Sequence, residues 1–170
     1  LRDLSNEGVT IVIAGEGVPV RDYTNTMLDR LTANSTYGEA YRAAFMANVV
    51  SEESNVRQVS AKIALGEADA GIVYVSDVTP DISDDVQTIA IPDNLNTIAT
   101  YPITVTNDSA NAELAQAFVD YVLSDAGQDT LVSWNFISVR IPEQPATVAL
   151  PAEDGVITFD GQVLNPLSLT

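Results

Sequence analysis

The sequence of 170 residues contains no cysteine and no histidine. Without cysteine the chain forms no disulfide and offers no thiolate metal site and no thiol nucleophile. Without histidine it lacks the usual general base and the commonest metal ligand, which argues against Ser-His-Asp hydrolysis and most zinc chemistry. An enzyme built on this chain would have to work with carboxylates, tyrosines or Lys62.

Basic residues are also scarce, because 7 lysines and arginines face 24 acidic residues and the net charge is -17. Such a chain repels nucleic acid phosphates and anionic membranes, so we predict that it binds no nucleic acid. A small anion would bind only where local backbone dipoles outweigh this field. The sequence has no apolar run near the roughly 18 residues of a membrane span and no basic-then-apolar leader, so we expect any secretion signal to lie outside it.

Apolar periodicity predicts strands alternating with helices. The expected strands are Val9 to Ala14, Ala70 to Val75, Val86 to Ile91, Ile98 to Thr106 and the run FISVRI. Three expected helices start near Val20, Tyr37 and Val56, and two more span Ala112 to Leu123 and Ala126 to Trp134. The second helix is predicted to carry Val49 and to end near Ser51, and VITF-DG-QVL predicts a hairpin. The pattern indicates an α/β fold of three layers, with a mostly parallel sheet between helices.

Two local motifs give weak chemical signals. The stretch GEGVPV after the first strand begins like a dinucleotide fingerprint, but Val20 stands at the third glycine position and Pro19 has no N–H. The acidic cluster of Asp77, Asp81, Asp84 and Asp85 lacks the residue order of an EF-hand loop.

Two predicted helix starts and one tyrosine give a stronger signal. In open parallel sheets, ligands collect beyond the carboxyl ends of the strands, where helix N-termini direct free N–H groups at a common point. The starts at Val20 and at Asn55-Val56 would offer backbone N–H groups there, and Tyr74 would add a hydroxyl. From pattern alone, the ordinary interpretation is favoured, in which Val20 and Val56 are core positions of their helices and Tyr74 is a packed tyrosine with its hydroxyl at the surface.

The same stretches carry a resemblance to a known family. Four stretches within residues 4 to 139 carry it: GVTIVIAGEGVPVRDYT, NVRQVSAKIALGEADAGIVYVSD, TYPITV and AQAFVDYVLSDAGQDTLVSWNF. They resemble the molybdate- and tungstate-binding proteins of ABC importers, which have the type II periplasmic-binding-protein fold. The parts most specific to this family are VPV before a helix, NVR at a helix start and GIVY in the next strand.

The resemblance implies which residues bind the anion. It assigns the backbone N–H groups of Val20 and Val56 and the phenol of Tyr74 to a tetrahedral oxyanion held between two lobes. Arg21 stands where the family often has a small residue and is an additional candidate for a charge contact, as is Asn55 at the start of its helix. No catalysis, cofactor or protein-ligated cation is implied.

The resemblance further implies an extracytoplasmic location, either periplasmic or lipid-anchored, and an ABC permease as partner. We expect residues 5–98 to form the second lobe, 99–141 the return segment of the first lobe, and 142–170 a loop and β-hairpin tail. The N-terminal part of the first lobe would be missing from this chain. Leu114, Phe118 and Val122 would then expose an apolar stripe, so we expect self-association and weak anion binding.

Several alternatives remain open at this point. A site made only of donors suits molybdate, tungstate or sulfate and disfavours phosphate, whose remaining proton would meet no acceptor. Anion size would separate the two larger oxyanions from sulfate, but nothing in the sequence separates molybdate from tungstate. Rival interpretations are the ligand-sensing domain of a transcription regulator with the same fold and a carboxylate-based enzyme.

Overall fold

The structure is a computed structural model that describes residues 1–140 and the backbone of 157–159 and 162–164. The elements are β1 (Ile11–Ala14), α1 (Pro19–Ala33), α2 (Tyr41–Ala47), β2 (Val49–Glu53), α3 (Val56–Ala64), β3 (Ala70–Gly71), α4 (Ala112–Leu123), α5 (Asp125–Ser133), β4 (Ile157–Phe159) and β5 (Gln162–Leu164). Short 3-10 turns span Arg2–Ser5 and Val75–Asp77. The chain divides into two units, Leu1–Val139 and Arg140–Thr170.

The first unit is built on a parallel sheet of three strands in the order β2-β1-β3. Ile11 is paired with Val49 on one side and with Ala70 on the other. All four residues of β1 are buried, as expected for a strand covered on both faces. Because the strands are parallel, their carboxyl ends lie at one edge of the sheet.

The two faces of β1 pack against different helices. Ile11 and Ile13 belong to one cluster of buried residues, with Met27, Leu28 and Leu31 of α1 and Tyr41 and Phe45 of α2. Val12 and Ala14 belong to a second cluster, with Val59 of α3. Side chains alternate along a strand, so α1 and α2 cover one face and α3 the other. The predicted layering of helices on both faces of a parallel sheet is confirmed.

One predicted helix has the wrong bounds. The helix expected from Tyr37 to near Ser51 ends at Ala47, and Val49–Glu53 forms β2 beside β1. Two adjacent β-branched valines favour a strand, and pairing with β1 satisfies the backbone there. The apolar spacing alone assigned Val49 to a helix, but the helix ends two residues earlier, at Ala47.

Other predicted strands are absent from the described residues. Only Ala70–Gly71 of the strand expected at 70–75 is paired, and residues 86–91, 98–106 and 136–140 form no regular strand. Several of their apolar side chains are exposed, including Ile89, Ile98 and Ile137 at about 70 %. β-branched residues favour extended backbone, but a strand also needs a neighbour, and none of the described strands lies beside these segments.

α4 and α5 agree closely with the predicted helices and meet at a tight corner. Ser124 ends α4 and caps α5, since its side chain accepts from Gly127 N–H. A Cβ at Gly127 would lie 2.1 Å from the Tyr121 carbonyl oxygen. The buried side chain of Gln128 donates to the Val122 carbonyl at 2.8 Å and accepts from Val139 N–H at 2.9 Å. This corner requires glycine and fixes the segment that follows α5.

The predicted apolar stripe on α4 is largely exposed. Leu114 is 73 % exposed and Phe118 61 %, whereas Val122 is half-buried. None of the helices in the described residues is long and apolar enough to cross a membrane. In the second unit β4 and β5 pair antiparallel, as the hairpin pattern predicts, while residues 142–156 of the expected loop lie outside the described residues.

Candidate anion-binding site

The carboxyl ends of β1 and β2 place the starts of two helices at one edge of the sheet. β1 ends at Ala14 and α1 begins at Pro19, while β2 ends at Glu53 and α3 begins at Val56. Gly15 N–H donates to the Glu53 carbonyl at 2.7 Å and holds the two strand ends together. Short connections from adjacent parallel strands therefore bring both helix N-termini to the same edge of the sheet, although the two helices cover opposite faces.

Val20 is the second residue of α1, and no described side chain or backbone carbonyl accepts a hydrogen bond from its amide. Pro19 at the first position has no N–H, and no side chain caps this helix from Val18. N–H groups of a first helical turn have no intrahelical acceptor, and the helix dipole gives them positive character. The Val20 side chain is 2 % exposed and packs with Ala14 and Val59. The side chain anchors the helix start while the amide stays at the sheet edge.

Val56 is the first residue of α3 and packs against the same cluster as Val20. Asn55 caps the helix, and its side-chain oxygen accepts from Gln58 N–H at 3.0 Å. The Gln58 side chain in turn accepts from Ser54 N–H at 3.2 Å and Ser54 Oγ at 2.9 Å. None of these hydrogen bonds involves the Val56 amide. The side-chain oxygen of Asn55, an additional candidate ligand, is committed to the cap.

Tyr74 lies three residues beyond β3 and is partly buried against the cluster of Val20 and Val59. A 3-10 turn holds its backbone, since Tyr74 N–H donates to Asp77 Oδ2 at 3.1 Å. Burial, followed by nearby Tyr101 and Tyr23, raises the pKa of the Tyr74 hydroxyl to about 12. The phenol therefore keeps its proton at neutral pH and remains a hydrogen-bond donor.

A row of aromatic rings passes through Tyr74. Its ring meets that of Tyr23 edge to face at 6.0 Å and that of Tyr101 at 6.1 Å. Tyr101 meets Phe136 in the same way at 5.8 Å. The row joins α1, the end of β3 and two later segments of the chain. Nothing in the sequence signals that these four rings meet.

A cavity of about 790 Å³ adjoins this row. Val20, Tyr23, Tyr74, Tyr101 and Phe136 are among its lining residues. Val56 is not among them, although it packs against the same cluster as Val20 and Tyr74. Val20 and Tyr74 thus line one cavity, and Val56 is connected to them only through the shared cluster.

Arg21, the other additional candidate, is buried at the ends of β1 and β2. Its Nη1 donates to the Ala14 carbonyl at 2.9 Å and lies 3.0 Å from Glu52 Oε1, while its buried Nε has no partner. The guanidinium charge is therefore balanced by Glu52. Arg21 does not line the cavity.

A second ion pair joins β2 to α3, which covers the opposite face of the sheet from α1. Lys62 Nζ of α3 lies 2.6 Å from Glu53 Oε1 and donates to Ser51 Oγ at 3.0 Å. The Lys62 hydrogen bond, followed by that of Ser51, lowers the pKa of Glu53. Sequence reasoning missed both ion pairs because it treated the start of β2 as the end of a helix. Within the described residues, no three acidic side chains gather in a way that could hold a metal ion.

Comparisons with known proteins agree with this architecture. The sequence profile of the family described as bacterial extracellular solute-binding protein matches residues 1–137. The molybdate-binding proteins ModA of Mycobacterium bovis and Mycobacterium tuberculosis are 30 % identical over 129 residues, which is 76 % of this chain and 44 % of theirs. The chain thus spans less than half the length of these curated relatives.

A solved structure is also similar. It is described as the substrate binding domain of a putative molybdenum ABC transporter from Clostridium difficile. The TM-score is 0.63 at 25 % identity, covering 82 % of this chain and 58 % of that one. The chain belongs to the bacterial extracellular solute-binding proteins.

Proposed function

We propose that this chain forms the anion-binding lobe of a receptor for molybdate or tungstate. The observation that supports this most is the meeting of two helix starts and one neutral phenol around a shared cluster at the carboxyl edge of the sheet. The amides of Val20 and Val56 and the hydroxyl of Tyr74 are the proposed ligands. The molybdate-binding relatives and the molybdenum-transporter neighbour favour the same ligand.

The chemistry of these groups fits a fully deprotonated oxyanion. The two N–H groups can only donate, and a Tyr74 hydroxyl that gives its proton to the anion acts as a donor as well. An anion that carries a proton would therefore leave that proton without an acceptor among these groups. Molybdate, tungstate and sulfate carry none at neutral pH, whereas phosphate keeps one. In a chain of net charge -17, main-chain dipoles supply the local positive potential that an anion needs.

The proposed role is capture rather than catalysis. The receptor would close over the dehydrated anion and deliver it to an ABC permease from the periplasm or from a lipid anchor at the outer face of the membrane. Residues 5–98 would supply the donors described here, and residues 99–141 would complete the other lobe. Because these donors contact only part of the anion, this chain alone should bind it weakly.

The exposed apolar face of α4 extends the proposal to self-association. Leu114 and Phe118 lie one helical turn apart and are largely exposed. Single apolar side chains are common at surfaces, but neighbours on one helix face form a patch. Light scattering should show concentration-dependent association that Leu114→Glu abolishes. A compact monomer at every concentration would rule out this part of the proposal.

Titration calorimetry with four anions tests the proposed ligand. We expect molybdate and tungstate to bind best, sulfate more weakly and phosphate least. Tyr74→Phe should weaken molybdate binding by about tenfold, since a hydrogen bond to a charged group is worth roughly 1.5 kcal/mol or more. Equal affinity for molybdate and phosphate, or an unchanged affinity in Tyr74→Phe, would contradict the assignment.

A further inference from the structure

The cavity beside the proposed anion site is far larger than an anion. Its volume is about 790 Å³. A tetrahedral oxyanion takes the space of a few water molecules, on the order of 100 Å³. Val20 and Tyr74 are only two of the lining residues, and most of the others are apolar, among them Ile72, Ile89 and Ile98. The larger part of the cavity therefore suits an apolar occupant.

β3 lies at an edge of the sheet and borders this cavity. It pairs with β1 on one side, and no described strand lies on its other side. Residues 70–75 all line the cavity. The backbone at Tyr74 is still extended, with φ -74° and ψ 152°, although the pairing with β1 ends at Gly71. An edge of this kind presents N–H and carbonyl groups that pair readily with another strand.

Residues 86–91 have the composition of a strand but no partner. All six line the cavity, and four of them are β-branched. None of their backbone N–H and carbonyl groups makes a hydrogen bond to any part of the chain that the structure describes. β-branched residues favour extended backbone, and an adjacent strand supplies the hydrogen bonds that such a segment lacks.

The size of the cavity fits one strand. A strand rises about 3.3 Å per residue, lies about 4.8 Å from its neighbour and belongs to a layer about 10 Å thick. Five residues, a common strand length, therefore fill roughly 800 Å³. The cavity has about 790 Å³.

We propose that the cavity holds an extended strand of about five residues from polypeptide outside these 170 residues, paired with residues 86–91 and with the free edge of β3. The strand is β-branched and uncharged or basic, because the lining is mostly apolar and a net charge of -17 repels acidic segments. The chain covers only 44 % of the curated relatives and 58 % of the solved neighbour, so such receptors contain polypeptide beyond the matched region. This inference goes beyond the proposed function and involves no anion.

Hydrogen–deuterium exchange, followed by NMR with a strand peptide added, tests the proposal. The probe is the peptide KVTIVIAK, which carries residues 9–14 between two lysines and is acetylated and amidated at its ends. Amides of residues 86–91 should exchange fast in the chain alone and about tenfold or more slowly with the peptide bound. The same peptide with alternate amides methylated keeps its side chains but loses its donors, and it should give no protection. With glutamates in place of the lysines, protection should be weaker.

Two neighbouring proline variants show whether the peptide pairs as a strand. Successive N–H groups of an extended segment point to opposite edges, so only one edge of residues 86–91 faces the added strand. Ile89→Pro and Ala90→Pro each remove one N–H from an exposed position. One of the two should weaken peptide binding by about tenfold and the other by much less. Equal effects of the two variants would contradict strand pairing.

The remaining outcomes are equally decisive. No protection at about 1 mM peptide would overturn the proposal. Equal protection by the methylated peptide would show that the cavity takes apolar groups without strand pairing. Protection of residues 86–91 that grows with protein concentration and resists the peptide would assign the cavity to a second copy of the chain. None of these measurements contains molybdate, so failure of the anion site leaves them unchanged.

Discussion

Arg21 of α1 and Glu52 of β2 form an ion pair at the edge of the sheet, with 3.0 Å between Nη1 and Oε1. The arginine side chain is only 8 % exposed, whereas that of Glu52 is 42 % exposed. The neighbouring residue, Glu53, pairs with Lys62 of α3 on the opposite face of β2. The end of one strand is thus tied to both helices whose N-termini form the proposed site.

The unequal exposure of Arg21 and Glu52 predicts an unequal response to mutation. Glu52→Gln leaves a buried cation uncompensated and should lower the free energy of unfolding by about 2–4 kcal/mol. Arg21→Met leaves a carboxylate that water can reach and should cost less. The exposed pair of Arg42 and Asp29 is the control, and Asp29→Asn should cost below about 1 kcal/mol. Urea unfolding measures all three, and a larger loss in Arg21→Met than in Glu52→Gln would contradict the expected asymmetry.

Glu53 should make the stability of the fold depend on pH in the acid range. Its pKa in the folded chain lies below the ordinary value of 4.5, chiefly because of the Lys62 hydrogen bond. The stabilisation is therefore present above pH 4.5 and is lost as pH falls through the lowered pKa. Glu53→Gln should reduce the slope of unfolding free energy against pH between about 5 and 3.

The control for this experiment is Glu113→Gln, which changes an exposed glutamate in the first turn of α4. Chemical unfolding over a series of pH values gives the slope for each chain. Parallel curves for Glu53→Gln and the parent chain would show that the Lys62 pair does not contribute to acid stability.

Gly127 and Gly66 should respond differently to alanine. At Gly127 a Cβ meets the Tyr121 carbonyl at 2.1 Å, so the corner between α4 and α5 must open. At Gly66 nothing lies within 4 Å of the added Cβ, and the cost comes only from its φ of +70°. We expect about 1 kcal/mol for Gly66→Ala and a clearly larger loss for Gly127→Ala. Thermal unfolding with similar losses for both would refute the steric account.

The backbone donor at Val56 can be removed by a single substitution. Proline is tolerated at the first position of a helix, where its missing N–H has no intrahelical acceptor. Asn55 has φ -161° and ψ 163°, the extended conformation that a residue before proline prefers. Val56→Pro should therefore keep α3 folded and weaken molybdate binding by about 10-fold or more.

Val56→Ala is the matched control for that substitution, because it shortens the side chain and keeps the amide. Calorimetry should show near-parent affinity in Val56→Ala, and circular dichroism should show unchanged helix content in both variants. If Val56→Pro binds molybdate as tightly as Val56→Ala does, the Val56 amide is not a ligand.

Local signals in the sequence located the helices that frame the candidate site. Pro19 and Asn55 mark the starts of α1 and α3, since one is favoured at a first helical position and the other is a strong N-cap. The run from Ala112 to Leu123 has helical spacing and forms α4 with the predicted bounds. These features depend on residues within a few positions of each other, so a single sequence can reveal them.

Features that depend on distant partners could not be predicted. β2 exists because Val49 pairs with Ile11, 38 positions away in the chain. The ring contact of Tyr74 with Tyr101 likewise depends on how two separate segments pack. Residues 86–106 carry the β-branched composition of strands, but strand formation also requires a neighbouring strand, and composition does not report one.

In the proposed site, the amides of Val20 and Val56 and the phenol of Tyr74 bind one oxyanion. A titration of the ¹⁵N-labelled chain with molybdate, followed through assigned amide resonances, tests it most directly. The amide protons of Val20 and Val56 should move downfield and saturate with one common dissociation constant. Resonances of those two residues that stay unchanged, while those of exposed Arg57 and half-buried Arg42 shift, would contradict it.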